Sequence, residues 1–205
     1  MKSDVPKGAS FEGELALGIA LWDVSHLLPT RGKGYPRRPG TIDLFATHHS
    51  GRLGSPGFAG MHASARYSTS VVRDKETGKI KKSGWPGFAY TFWLPFHDAR
   101  DAEGRRVVYR GNPDDRRTYH TGGKANDRGV ACVWQGNLTN VAPSKHQVEC
   151  AEALYPWAGI RYGLTREDFI GHSESKPFGG TGKKACPGPN VLEWLRLWRK
   201  GWDVA

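Results

Sequence analysis

Thr41-Ile42-Asp43-Leu44-Phe45-Ala46-Thr47-His48-His49 is the stretch whose reading decides the fold. Ile42, Leu44, Phe45 and Ala46 make a short apolar run that stops at two histidines. A run of this length reads as a strand buried in a sheet. Phe169-Ile170-Gly171-His172 repeats the arrangement, a second strand ending on a histidine. A late cysteine follows in Lys184-Ala185-Cys186-Pro187. Histidines at two strand ends and one cysteine make a three-ligand set of zinc type, with nitrogen and thiolate donors in tetrahedral geometry. Three protein ligands leave the fourth position to water, which points to catalysis rather than scaffolding.

Working outward, Ser10-Phe11-Glu12-Gly13-Glu14 opens a stretch that runs through Leu15–Asp23 and carries enough Ala, Leu and Ile to pack on a core. Residues 30–40 are a basic Gly/Pro loop. Residues 57–72 have helical character, and residues 73–84 read as a solvated turn or hairpin. Phe88–Leu94 and Arg105–Arg110 read as an antiparallel strand pair, and Gly129–Gln135 as another buried strand. Pro143 to Tyr162 is the clearest helix. Val148, Ala151, Leu154, Tyr155 and Ala158 fall at 3.6-residue spacing, and Ser144 with Gln147 three residues on forms a capping box. Pro189 opens a final helix with Val191, Trp194, Leu195 and Trp198 on one face. This mixture of strands and helices places the chain in the α/β or α+β class with one central sheet.

The 205 residues suffice for one domain with its own core. Thirty Lys and Arg against 20 Asp and Glu give a formal net charge of +10, which suits an anionic partner such as an envelope polymer or the bacterial outer membrane. No helix-turn-helix or zinc-finger pattern accompanies the charge, so a nucleic-acid partner is not expected. Three cysteines without a pairing pattern fit synthesis in a reducing compartment. Met1–Pro6 lacks an apolar leader segment and no run reaches membrane-spanning length. The expectation is synthesis in the cytoplasm and action elsewhere only after release.

Five separated segments carry a resemblance. Thr47-His48-His49-Ser50 is similar to an apolar strand ending in His-His-Ser/Thr. Ala89-Tyr90-Thr91-Phe92 resembles a Gly-Tyr-His-Phe strand, and Tyr119-His120-Thr121-Gly122 a Trp-His-Ala-Gly turn. Asn126-Asp127-Arg128-Gly129-Val130 resembles Asn-Ser-Ile-Gly-Val. Gly171-His172-Ser173-Glu174 with Lys184-Ala185-Cys186-Pro187-Gly188 resembles Gly-His-Arg-Asp/Glu and Lys-x-Cys-Pro-Gly. In order and spacing these resemble the zinc-dependent N-acetylmuramoyl-L-alanine amidases, the family of phage lysozyme-type amidases, bacterial amidase_2 domains and animal peptidoglycan recognition proteins.

The resemblance implies a single central mixed β-sheet flanked by helices. Residues 1–40 are then an N-terminal extension packed on the core, and 41–205 a zinc amidase catalytic domain. It implies Zn2+ held by His48, His172 and Cys186, with Tyr90 and Lys184 catalytic. His120, Asn126 and His49 are implied as substrate-binding residues, and Glu174 as the group that orients His172. Another register puts Phe88 at the position of Tyr90, and Phe has no proton to transfer. The implied reaction is hydrolysis of the amide between N-acetylmuramic acid and L-alanine by a monomeric phage endolysin, released by a holin or by lysis. A Cys186–His172 nucleophilic pair is a second reading of the same residues, but it leaves His48 and Tyr90 without a role. A third is a peptidoglycan-binding module without catalysis. The chain departs from the family pattern at Thr91, at Tyr119, and in a long stretch from His172 to Cys186 that contains Phe178-Gly179-Gly180-Thr181-Gly182 and suits a mobile lip.

Overall fold

The computed structural model describes residues 3–182 and 185–201. In chain order its elements are β1 (Ser10–Ala16), β2 (Ile19–Asp23), β3 (Leu44–His49), α1 (Gly57–Thr69), β4 (Val72–Arg73), β5 (Ile80–Lys82) and β6 (Phe92–Leu94). There follow β7 (Arg106–Arg110), α2 (Ala125–Arg128), β8 (Gly129–Trp134), α3 (Lys145–Tyr162), β9 (Phe169–Gly171) and α4 (Pro189–Arg199). Seven strands form one sheet in the order β1-β2-β7-β6-β8-β3-β9, and β4 and β5 form a separate hairpin. The sheet is mixed. The β1–β2 and β6–β7 pairs are antiparallel, whereas β2–β7, β6–β8, β8–β3 and β3–β9 are parallel.

Helices cover both faces, which is why the central strands read as nearly continuous apolar runs. Side chains alternate across the sheet. Phe45, Phe92, Val130, Cys132 and Trp134 point to α3 and α4, where they meet Leu154, Tyr155, Trp194 and Trp198. Trp93, Val107, Tyr109 and Val133 point to the other face and pack on Met61 and Ala65 of α1. Leu44, Ala46, Ala131 and Ile170 share that second face near Tyr90. The period of two therefore sends Thr47 and His49 toward α3 and α4, and His48 toward the α1 side.

The helix α3 starts where the capping box places it. Ser144 Oγ accepts from Gln147 N at 3.2 Å, and Gln147 Oε1 accepts from Ser144 N at 3.2 Å. Such a cap stabilises a helix by about 1 kcal/mol. Trp194 and Trp198 of α4 are buried against Tyr155, so the terminal helix docks on the sheet. Trp202 lies outside the described residues.

Two segments differ from the sequence reading. Residues 10–23 are not only a packed extension, because β1 and β2 are two strands of the central sheet, joined to it by the parallel pairing of β2 with β7. The strand expected over Phe88–Leu94 is confined to Phe92–Leu94. Asn112 is the reason: its side-chain Nδ2 donates to Phe88 O at 2.8 Å and Tyr90 O at 2.7 Å, holding both carbonyls away from the ladder.

Candidate metal centre

The parallel pairing of β3 and β9 sets Thr47 opposite Gly171. The next residue along each segment is a histidine, so His48 and His172 sit at adjacent carboxyl ends with ring centroids 4.6 Å apart. In open α/β sheets this is the edge where ligands bind. Cys186 reaches the same edge on a loop. Ser173 N donates to Cys186 O at 2.8 Å, and Thr139 Oγ1 to Ala185 O at 3.4 Å. Gly188 makes the loop's close approach feasible. It has φ +96°, and a Cβ there would stand 2.3 Å from Leu138 O.

Cys186 Sγ is 3.5 Å from His48 Nδ1. One donor atom from each of His48, His172 and Cys186 lies within 4.8 Å of the others. A tetrahedral ion with Zn–N of about 2.0–2.1 Å and Zn–S of about 2.3 Å separates its nitrogen and sulfur ligands by roughly 3.6 Å. The observed Nδ1–Sγ distance matches that edge, and the mixed nitrogen and sulfur donors suit the same ion. The residues present fit a zinc-type metal.

The strand that bears His48 is braced from the opposite face. Tyr155 Oη accepts from Trp134 Nε1 at 3.1 Å and shares a hydrogen bond with Thr47 Oγ1 at 2.9 Å. That tie fixes β3 one residue before His48. His49 lies on the α3 and α4 side of the sheet, and its Nδ1 accepts from Leu138 N at 3.1 Å. It braces the loop against which Gly188 packs, and burial holds its pKa below the usual histidine range. His49, expected at the substrate and on the face opposite His48, thus has the Leu138 amide as a partner on that opposite face.

Glu174 requires a correction. Its Oε2 accepts from Gly171 N at 2.8 Å and its Oε1 from Arg199 Nη2 at 2.9 Å. It ties the exit of β9 to the end of α4. The His172 ring meets Thr181, whose Oγ1 lies 3.1 Å from Nε2. Both oxygens of the Glu174 carboxylate are thus engaged, one by a backbone amide and one by a guanidinium.

On the α1 side, Tyr90 lies beside His48 with ring centroids 5.1 Å apart. Burial, with Cys186 alongside, pushes the phenol pKa above its ordinary value, so Tyr90 stays protonated at neutral pH. The position occupied by Tyr90 is the one that meets His48. Phe88 packs instead with Trp93 and Met61. Lys184 lies outside the described residues.

His120 stands edge-on to His48 at 5.6 Å between centroids. Its Nε2 donates to Gly129 O at 3.1 Å, since a carbonyl only accepts. Burial lowers its pKa to about 3, despite the opposing effect of that hydrogen bond. A neutral His120 in the folded protein and a titrating one in the unfolded chain make stability rise with pH between about 3 and 6.5. That contribution is complete above 6.5 and is lost as pH falls toward 3. His120→Gln should flatten the acid limb of urea stability by up to about 1.4 kcal/mol per pH unit within the window. An unchanged slope would show that His120 is charged in the folded state. His49 and His146, also held low by burial, supply a residual slope.

Asn126 was expected at the substrate, but its Oδ1 is committed to the turn that carries His120. It accepts from His120 N at 3.1 Å, Thr121 N at 2.9 Å, Thr121 Oγ1 at 3.2 Å and Gly122 N at 3.1 Å. Asn126→Ala leaves buried donors without that acceptor and should cost about 2–3 kcal/mol in urea unfolding. A loss below about 0.5 kcal/mol would mean that the turn holds itself. Arg38 supports the same region, with Nη1 donating to Asn126 O at 3.2 Å and Gly129 O at 2.6 Å. The sequence did not disclose the hydrogen bonds of Asn112 to Tyr90, of Thr181 to Thr121 and of Arg38 to Gly129. Each acts across a long chain separation, through contacts that no local pattern encodes.

Comparison with known proteins places this geometry. The N-acetylmuramoyl-L-alanine amidase family model, Amidase_2, matches residues 38–189. A search of curated protein sequences finds no match. Among solved structures, wild-type Drosophila PGRP-LB is similar at TM-score 0.62 and 17% identity, covering 91% of this chain and 98% of that one. Human PGRP-IBETAC, solved in complex with glycosamyl muramyl pentapeptide, is similar at TM-score 0.61 and 17% identity, covering 89% and 97%. The endolysin N-acetylmuramoyl-L-alanine amidase LysCS from Clostridium intestinale URNW is similar at TM-score 0.54 and 18% identity, covering 82% and 92%. These likenesses support the fold, and the family model spans the strands and loops that carry His48, His172 and Cys186. The chain belongs to the N-acetylmuramoyl-L-alanine amidase family, Amidase_2.

Proposed function

We propose that this chain is a zinc-dependent peptidoglycan amidase that hydrolyses the amide between N-acetylmuramic acid and L-alanine, and that it serves as a phage endolysin. The observation that carries the proposal is the meeting of His48, His172 and Cys186 at one sheet edge with Tyr90 alongside. Zinc bound to such a donor set supplies an acidified water and a Lewis acid for a carbonyl. The chain's own residues do the rest. His48 and His172 present lone pairs from rigid strand ends. The protonated Tyr90 is a hydrogen-bond donor on the reacting side. Lys184 is the proposed fixed cation for the developing negative charge.

The net charge of +10 favours approach to anionic wall polymers. Peptidoglycan recognition without catalysis is the competing reading, since recognition proteins share the fold. The complete thiolate and imidazole donor set favours catalysis.

Dye-labelled peptidoglycan provides the test. The purified protein with one equivalent of zinc should release dye, lose that activity to a chelator and regain it on zinc addition. Tight binding to the polymer without release at full zinc loading would support the recognition reading instead.

A further inference from the structure

We propose that Thr181 is a positioning residue that fixes the tautomer of His172 and thereby sets the metal affinity of the site. The inference rests on the zinc reading of His48, His172 and Cys186. Thr181 Oγ1 donates to Thr121 O at 2.9 Å. A carbonyl accepts only, so the single hydroxyl proton is committed there. His172 Nε2 lies 3.1 Å from the same Oγ1. The hydroxyl therefore offers a lone pair to the ring, and Nε2 carries the imidazole proton. Nδ1 of His172 is left with the lone pair and is the metal donor, the same ring atom with which His48 faces Cys186. Ligating histidines are held in one tautomer by such a second hydrogen bond, and its partner here is a hydroxyl rather than the carboxylate of Glu174.

The backbone keeps Thr181 in place. Thr181 N also donates to Thr121 O at 2.9 Å, and Lys124 N donates to Gly179 O at 3.1 Å. The two segments meet so closely that a Cβ on Gly123 would stand 2.1 Å from Gly179 O. Gly179 and Thr181 are thus docked on the turn that carries His120. Thr181 links that turn to a metal ligand through its side chain.

The test compares wild type, Thr181→Val and Thr181→Ser, using zinc alone as the probe. In the metal-free wild type, imidazole 15N–1H correlation should show His172 protonated at Nε2. Competition against a chromogenic chelator should show Thr181→Val binding zinc roughly 10–100-fold more weakly, with Thr181→Ser close to wild type. Wild-type zinc affinity in Thr181→Val, or a metal-free His172 protonated at Nδ1, would overturn the assignment while leaving the zinc site standing. A wild type that takes up no zinc would overturn the metal reading itself, and the role of Thr181 with it.

Discussion

Cys186→Ser should remove zinc and peptidoglycan cleavage together. In the proposed zinc site the thiolate is one of three proteinaceous donors, and a serine hydroxyl at neutral pH is neither ionised nor soft enough to replace it. Cys186 approaches His48 Nδ1 to 3.5 Å, a contact that closes one edge of the donor triangle. His48→Ala should behave alike from the opposite corner. Because β3 is braced by Thr47, Tyr155 and Trp134 rather than by His48 itself, both variants should keep the fold. Metal analysis after gel filtration decides the matter. Full zinc stoichiometry in either variant would refute the ligand set, whatever its activity.

Tyr90→Phe should do the opposite, keeping zinc and losing turnover. The substitution deletes one hydroxyl and preserves the ring that packs beside His48. Groups that move or hold a proton in the transition state typically contribute about 10²–10⁴-fold, and a loss of that size is expected in kcat. Since burial raises the phenol pKa, Tyr90 stays protonated across neutral pH, as the proposed role of proton-bearing donor requires. Titration of its own phenol should consequently leave no mark on the profile near neutrality. Turnover within threefold of wild type would move the role to another residue.

The meeting of His48 and His172 was legible in the sequence because each histidine ends an apolar run, and the sheet turns that local pattern into adjacency. The helix α3 was equally legible, since Ser144, Gln147 and the buried face through Ala151, Leu154 and Ala158 are all local signals. The hairpin of β4 and β5 followed from its charged turn. β1 and β2 were harder to read. Their place in the sheet depends on the pairing of Ile19–Asp23 with Arg106–Arg110, more than 80 positions away. Tyr90 was placed in a strand by its aromatic neighbours, but Asn112 draws the chain out of the ladder from 22 residues downstream. Glu174 was assigned to His172 by nearness in sequence. The structure turns it instead to Gly171 and Arg199 and brings Thr181 to the ring. For β1, β2 and Tyr90 the local composition was read correctly, and a contact distant in the chain decided the geometry.

Mass spectrometry of the products from purified peptidoglycan, digested by the zinc-loaded protein, tests the central claim most directly. The account predicts free stem peptides with a new L-alanine amino terminus and glycan chains left intact, with neither product formed in the presence of a chelator. Glycan fragments that still carry their peptides, or stem peptides cut between amino acids, would contradict it.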